Sequence, residues 1–186
     1  MKTTAWKVYM DYEKEEVWLN SMAAKGFALT DYFLFRYVFE DCRPGEYIYR
    51  LELLENLPTH AESRKYLNFL ADNGVEHVTS WLRWVYLRKR AEDGSFDLYS
   101  DIDSRIAHYK RIATLWLPIM LFELMIGFSN FFQGLDFING GGDDSGSTYQ
   151  FIMGIVLIGV GAFIFFAWNS LRLKTRRLRR EKTLRE

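Results

Sequence analysis

The chain is poor in the residues that staple small folds or carry chemistry. Its one cysteine, Cys42, rules out an intrachain disulfide, which accords with a reducing compartment. The three histidines, His60, His77 and His108, lie far apart, and none stands with cysteine or carboxylates at metal-ligand spacing. No metal and no cofactor is expected. No Walker loop or dinucleotide fingerprint is present, and Gly140-Gly141-Gly142 reads as a flexible connector rather than a phosphate cradle. Cys42 lies in the charged turn Asp41-Cys42-Arg43; Arg43 could lower its pKa, but an ordinary turn cysteine is the plainer reading. No catalytic constellation emerges, so the chain is not read as an enzyme. Met1 to Asn20 is charged and has no apolar core, so no signal peptide is expected and the first apolar span must direct insertion itself.

Lys and Arg are absent between residues 112 and 171, and that gap frames two apolar stretches. Ile112 to Phe132 carries one charge, Glu123, and Phe151 to Leu171 carries none. A bilayer core of about 30 Å needs about 20 apolar residues of helix, so each stretch can span it. The connector 133–150 holds Asp136, Asp143 and Asp144, while the tail 172–186 holds eight Lys/Arg against two Glu. Arg105, Lys110 and Arg111 precede the first span. Basic flanks stay in the cytoplasm, so a two-pass cell-membrane protein with both termini cytoplasmic and an external loop is expected. The basic tail suits contact with anionic lipid.

Without the tail and spans, the first 111 residues hold 16 basic and 18 acidic side chains. That near-neutral balance argues against nucleic-acid binding, which calls for a basic patch. This segment suits one compact domain and contains a repeat. Trp18-Leu19-Asn20-Ser21-Met22-Ala23-Ala24-Lys25-Gly26 returns 48 residues later as Tyr66-Leu67-Asn68-Phe69-Leu70-Ala71-Asp72-Asn73-Gly74. Each copy reads as a helix end, with Gly26 or Gly74 at a left-handed cap. Asp11 starts the first helix, and Thr59 with Glu62 forms a capping box for the second. Strand-like runs follow each glycine, Phe27–Phe39 and Val75–Leu87, with a third at Tyr47–Leu54 and a short one at Trp6–Met10. The order βαββαβ predicts a ferredoxin-like α+β domain over residues 1–99, with one four-stranded antiparallel sheet.

One face of such a sheet is open. In Tyr32–Glu40 and Tyr47–Leu54 neither alternating set of side chains is clearly polar, so both faces are expected to be covered. Either a later segment such as Phe96-Asp97-Leu98-Tyr99 folds over the sheet, or the face binds a protein or dimerises. An RNA-binding sheet is rejected, because Glu46–Glu55 lacks the basic-Gly-aromatic-Gly pattern. Arg36, Arg50 and Arg83 stand among the aromatics with Glu52, as a paired internal network or as anion-binding candidates.

The stripe Ile102, Ile106, Tyr109, Ile112 predicts a helical stalk over 100–111 that runs into the first span (112–132); Pro118 is a place for a bend. Glu123 falls about 16 Å into the bilayer, where a carboxyl is a functional candidate by default. Gly159 and Gly161 of the second span (151–171) reach similar depth and are expected to leave room for it. A hydrogen-bonded neutral Glu, a proton-linked role and pairing with a cation of another membrane protein remain open.

The run Asp11-Tyr12-Glu13-Lys14-Glu15-Glu16-Val17-Trp18-Leu19-Asn20-Ser21-Met22-Ala23-Ala24-Lys25-Gly26, with Gly45-Glu46-Tyr47-Ile48-Tyr49-Arg50 and Gly74-Val75-Glu76-His77-Val78, resembles domain-of-unknown-function family 2812. The likeness covers roughly residues 6 to 110. It implies a bacterial protein, mostly of Gram-positive species, ending in a pair of spans and often associated with PadR-type regulators. It transfers no activity and no site residues. The first functional expectation is a membrane-anchored sensory or adaptor protein that binds a protein or small ligand through its sheet face. The alternative is an accessory subunit of a transporter or envelope complex, with Glu123 against a partner helix or a second copy. A membrane-tethered enzyme comes third.

Overall fold

The computed structural model describes residues 2–99, 101–139 and 145–185, in two units, Met1–Asp101 and Ile102–Glu186. The first unit is α+β. It contains strand β1 (Lys2–Trp6), helix α1 (Tyr12–Ala24), strands β2 (Phe27–Phe33), β3 (Arg36–Asp41) and β4 (Tyr47–Leu53), helix α2 (Ala61–Asp72), and strands β5 (Val75–Trp81) and β6 (Trp84–Arg90). The strands form two three-stranded antiparallel sheets, in the orders β1-β3-β2 and β4-β6-β5. The ferredoxin-like expectation of four strands in one sheet is therefore corrected. Each long run after a helix is a hairpin, not a single strand.

The reason lies in the turns. Two-residue hairpins favour positive φ at both central positions, normally supplied by Asn-Gly or Asp-Gly. Here Leu34 and Phe35 take φ of 39° and 70°, and Leu82 takes 54°. Bulky residues there cost on the order of 1 kcal/mol or more each and give no turn signal in the sequence. The first turn is held by neighbours: Phe35 N–H donates to the Tyr32 hydroxyl at 3.3 Å, and Lys7 N–H donates to the Phe35 carbonyl at 3.0 Å.

With the hairpins counted, the sequence repeat becomes a duplication of the whole βαββ module. β2 and β5 match end to end at the 48-residue offset, and α1 matches α2. The register shift between Leu29 and Asp31 recurs between His77 and Thr79. The two shifted segments meet, Thr79 Oγ1 donating to Asp31 Oδ1 at 3.4 Å. Gly26 and Gly74 end the helices at φ of 87° and 78°, as the repeat predicted. Asp11 caps α1, accepting from Glu13 N–H at 3.1 Å. The cap of α2 falls on His60 instead of Thr59, its Nδ1 accepting from Glu62 N–H at 3.4 Å.

One core cluster gathers Leu19 and Ala23 of α1, Leu29, Tyr32, Tyr37 and Phe39 of the first sheet, and Tyr49, Leu51 and Tyr86 of the second. The other holds Leu54, Leu70, Val75, Val85, Leu87 and Phe96. The alternating side chains of β4 and β6 thus enter different clusters, so the second sheet is covered on both faces. Phe96 and Leu98 do fold over it, in the second cluster.

The second unit is two helices, α3 (Ile102–Asn139) and α4 (Ser145–Arg185). Both are long and apolar enough to cross a membrane, as a two-pass protein requires. Helix continues past the expected spans into the connector and the basic tail; Gly140–Asp144 lie outside the described residues. The helices pack antiparallel in one constant register. Lys182 Nζ meets Asp103 Oδ2 at 2.7 Å. Further along, a Cβ on Gly161 would meet Leu124, on Gly127 Ile158, on Gly154 Phe131, and on Gly134 Phe151. Gly127 and Gly134 are seven residues apart, as are Gly154 and Gly161, which is the repeat of a left-handed helix seam.

Three of these glycines face the partner backbone. A Cβ on Gly134 would stand 2.5 Å from Phe151 N and one on Gly127 2.9 Å from Ile158 N. Gly159 faces open space. Gly134→Ala and Gly154→Ala are expected to loosen the pair by about 1–3 kcal/mol, whereas Gly159→Ala should not. Thermal unfolding of the purified chain in detergent checks this; equal losses at all three positions would contradict the seam.

Candidate functional site

Helix α1 carries two adjacent carboxyls into the interior. Glu15 precedes Leu19 and Ala23 by one and two turns, so it shares their buried stripe. It is 7% exposed. Tyr37 of β3 and Tyr86 of β6 each donate a hydroxyl hydrogen bond to its Oε1, both at 2.7 Å. Its Oε2 takes no hydrogen bond among the described residues. Around this carboxyl the rings pack on one another. Tyr32 lies 4.7 Å from both Tyr37 and Tyr86, centroid to centroid, and Trp18 meets Tyr37 edge-on at 4.7 Å. Half-buried Tyr12 and Trp84 pack together at 5.8 Å and belong to the same cluster. No Lys, Arg or His side chain contacts Glu15 among the described residues.

Burial pushes the Glu15 carboxyl up from the usual range, and the hydrogen bonds from Tyr86 and Tyr37 pull against it. The two phenols are pushed far up, first by burial and then by the Glu15 charge, so they stay protonated donors. The cluster is thus a carboxyl in an aromatic surround with two fixed donors on one oxygen. It can accept a proton or stabilise a cation, which aromatic faces also favour.

Glu16 does different work. Its Oε1 accepts from Leu51 N–H at 2.7 Å. Asn20, one turn on, accepts from Tyr49 N–H at 2.8 Å and donates to Tyr49 O at 3.1 Å. These side chains satisfy the outer edge of β4 as another strand would. Burial raises Glu16 to about 7, opposed by the Leu51 N–H and by the charge of Arg50.

The sequence-derived candidates are dispersed. Arg36 lies on β3, 3.7 Å from Asp31. Arg50 lies on β4, donating to Tyr49 O at 2.9 Å, with Phe96 5.9 Å away. Arg83 sits in the β5–β6 turn and donates to Glu55 O at 2.9 Å. Only Arg50 acts on the α1 carboxyls, through Glu16. Burial first, then the charge of Glu46, pushes the Cys42 thiol up, the reverse of activation by Arg43. In the helix pair Glu123 is half-buried, three residues after buried Met120 and four before buried Gly127, hence on the seam. Neither expected glycine takes it in: the nearest atoms at Gly161 belong to Leu124, and Gly159 faces outward. The first sheet keeps its outer face open, and Trp6 (70% exposed) and Phe33 (58%) flank Arg36 there.

These features define a class: a duplicated βαββ unit with an internal carboxyl–tyrosine cluster, joined in one chain to two membrane-length helices. The profile of the family described as Protein of unknown function (DUF2812) matches residues 11–121, and the chain belongs to that family. No curated protein and no solved structure matches the chain.

The pH dependence of stability follows from Glu16. Its folded pKa, about 7, lies above 4.5, so between those values the folded state binds more protons than the unfolded one. Stability is then greatest below about pH 4.5 as far as this group is concerned, and falls as pH rises to about 7, by at most about 3 kcal/mol. Glu15 acts in the same direction. Glu16→Gln keeps the acceptor for Leu51 and should flatten the melting temperature between pH 5 and 7.5 while raising it at the upper end. An unchanged slope would refute the assignment.

Proposed function

We propose that this protein is a membrane-anchored sensory or adaptor protein whose cytoplasmic unit binds a small ligand at the aromatic cluster around Glu15. The observation that carries this reading is a buried carboxyl with one oxygen held by two tyrosines and the other without a donor among the described residues. A fold seeking only stability would do better with an apolar side chain there, because a desolvated carboxyl is costly. The reading moves the expected ligand from an outer sheet face to the contact between the two repeats. The open face bearing Trp6, Arg36 and Phe33 suits a protein that receives the signal. A PadR-type regulator, implied by the family resemblance, would fit that role in a bacterium. The charge asymmetry around the spans supports cytoplasmic termini and an external connector.

Two measurements test this. In intact cells, Gly141→Cys should react with an impermeant thiol reagent while Cys42 stays protected until lysis; the opposite pattern would reverse the topology. Native mass spectrometry of the full chain, extracted from membranes in nonionic detergent, should show a bound small molecule that Tyr37→Ala and Trp84→Ala release. A stoichiometric multi-span protein with no small molecule would instead favour the accessory-subunit reading, with Glu123 on the partner.

A further inference from the structure

The duplication supplies an internal control for the Glu15 cluster. At the 48-residue offset, the counterpart of Glu15 is Ser63, that of Tyr37 is Val85, that of Tyr86 is Val38, and that of Tyr32 is Ser80. Ser63 is buried as Glu15 is, yet its hydroxyl merely donates to Asn56 O at 3.3 Å. Val85 is fully buried in an apolar cluster. The βαββ module therefore folds with a small polar residue and aliphatics at these places. The carboxyl and its tyrosines are an addition to one repeat and to its contact with the other.

The chemistry of the addition is selective. Glu15 is more than nine-tenths buried, and no cation of this chain forms an ion pair with it among the described residues. Aromatic rings such as those of half-buried Tyr12 and Trp84 attract positive charge and pack against flat or branched apolar groups, while Lys7 Nζ already lies 4.9 Å from the Trp18 ring. Phenol donors hold Oε1, so Oε2 is the atom left for a ligand. An anion would meet repulsion here, and a strongly hydrated metal ion would find no set of three acidic, histidine or cysteine ligands among the described residues.

We propose that Glu15 is the counter-ion of a binding site for a lipophilic organic monocation, which packs against the half-buried ring pair of Tyr12 and Trp84. This rests on the ligand-binding reading above and gives that ligand its charge. Burial disfavours the lone negative charge in the empty site, so the Glu15 carboxyl keeps a proton to higher pH there than in water. A bound cation favours the ionised carboxyl, so at a pH where the empty site is protonated the proton leaves to solvent as the cation enters, and the cluster with its cation stays neutral. The titratable groups facing the carboxyl are the phenols of Tyr32 on β2, Tyr37 on β3 and Tyr86 on β6, with Glu16 beside it on α1. The phenols remain protonated throughout.

The test uses the full chain in nonionic detergent with tetraphenylphosphonium as the cation and triphenylphosphine oxide as a neutral probe of related shape. Tryptophan fluorescence reports binding, and calorimetry in two buffers of different ionisation enthalpy counts protons. Tetraphenylphosphonium should bind at least tenfold more tightly than the oxide, with proton release that is largest at low pH and falls away as Glu15 ionises in the empty site. Its affinity should rise with pH, by up to tenfold per unit, until Glu15 is ionised in the empty site. Glu15→Gln should keep a cooperative melting transition, lose at least tenfold in cation affinity and release no proton. Tyr86→Phe removes a donor to the carboxylate, so the affinity plateau should move to higher pH. Equal binding of both probes, or cation binding unchanged in Glu15→Gln, would overturn the counter-ion assignment and leave a neutral-ligand sensor standing. Failure of tetraphenylphosphonium to bind would also overturn it, and the co-purified molecule then decides the wider reading separately.

Discussion

Helix α1 holds the two repeats together by hydrogen bonds that helices seldom make. Asn20 brackets the peptide groups of Tyr49, and Glu16 accepts from Leu51 two residues on. The outer edge of β4 would otherwise present unpaired N–H and C=O groups, which in a buried setting each cost a lost hydrogen bond. Satisfying them fixes α1 against the second sheet while its own stripe packs on the first. Leu29 N–H donates to the Tyr49 hydroxyl at 2.8 Å, so the same strand is tied to β2 as well. Once α1 is seated there, Glu15 is largely withdrawn from water and is served by Tyr37 and Tyr86. The edge contact thus creates the internal carboxyl.

The repeat, the helix caps at Gly26 and Gly74, and the two apolar spans were legible because each rests on a local rule. The hairpins were not, because Leu34-Phe35 and Leu82-Arg83 lack turn residues and tertiary contacts impose their conformation. The site was hidden for a different reason. Asp11 to Glu16 reads as a solvated, dipole-complementing first turn, and Glu13 fits that description. Glu15 does not, and one signal was available: it stands four and eight residues before Leu19 and Ala23, on the stripe that must be buried. A charge on an apolar stripe outranks a charge beside a helix cap. Arg36, Arg50 and Arg83 stand beside aromatics in sequence, but strand alternation separates such neighbours onto opposite faces.

The helix pair obeys a simpler constraint. Lipid offers no hydrophobic drive between helices, so close approach must come from small residues. Glycines at seven-residue spacing on both helices supply it, and the register continues outward to Lys182 and Asp103. Depth alone suggested Gly159 and Gly161 as partners of Glu123. Depth is not azimuth: Gly159 lies two residues from Gly161, about 200° around the helix, and so points away from the seam.

Duplication separates what a fold needs from what a site needs. Whatever recurs at the offset, namely the glycine caps, the register shifts and the strand order, serves the βαββ module itself. Whatever fails to recur must answer to something else. Asn20 has a counterpart in Asn68, but Asn68 is exposed on α2 and Glu16 is matched by Arg64, which cannot accept a backbone N–H. The edge-capping device is therefore used once, and it is the device that buries Glu15. Losing symmetry at α1 gives the unit one interior unlike any place in the other repeat. The carboxyl, the two donors and the ring shell are all there.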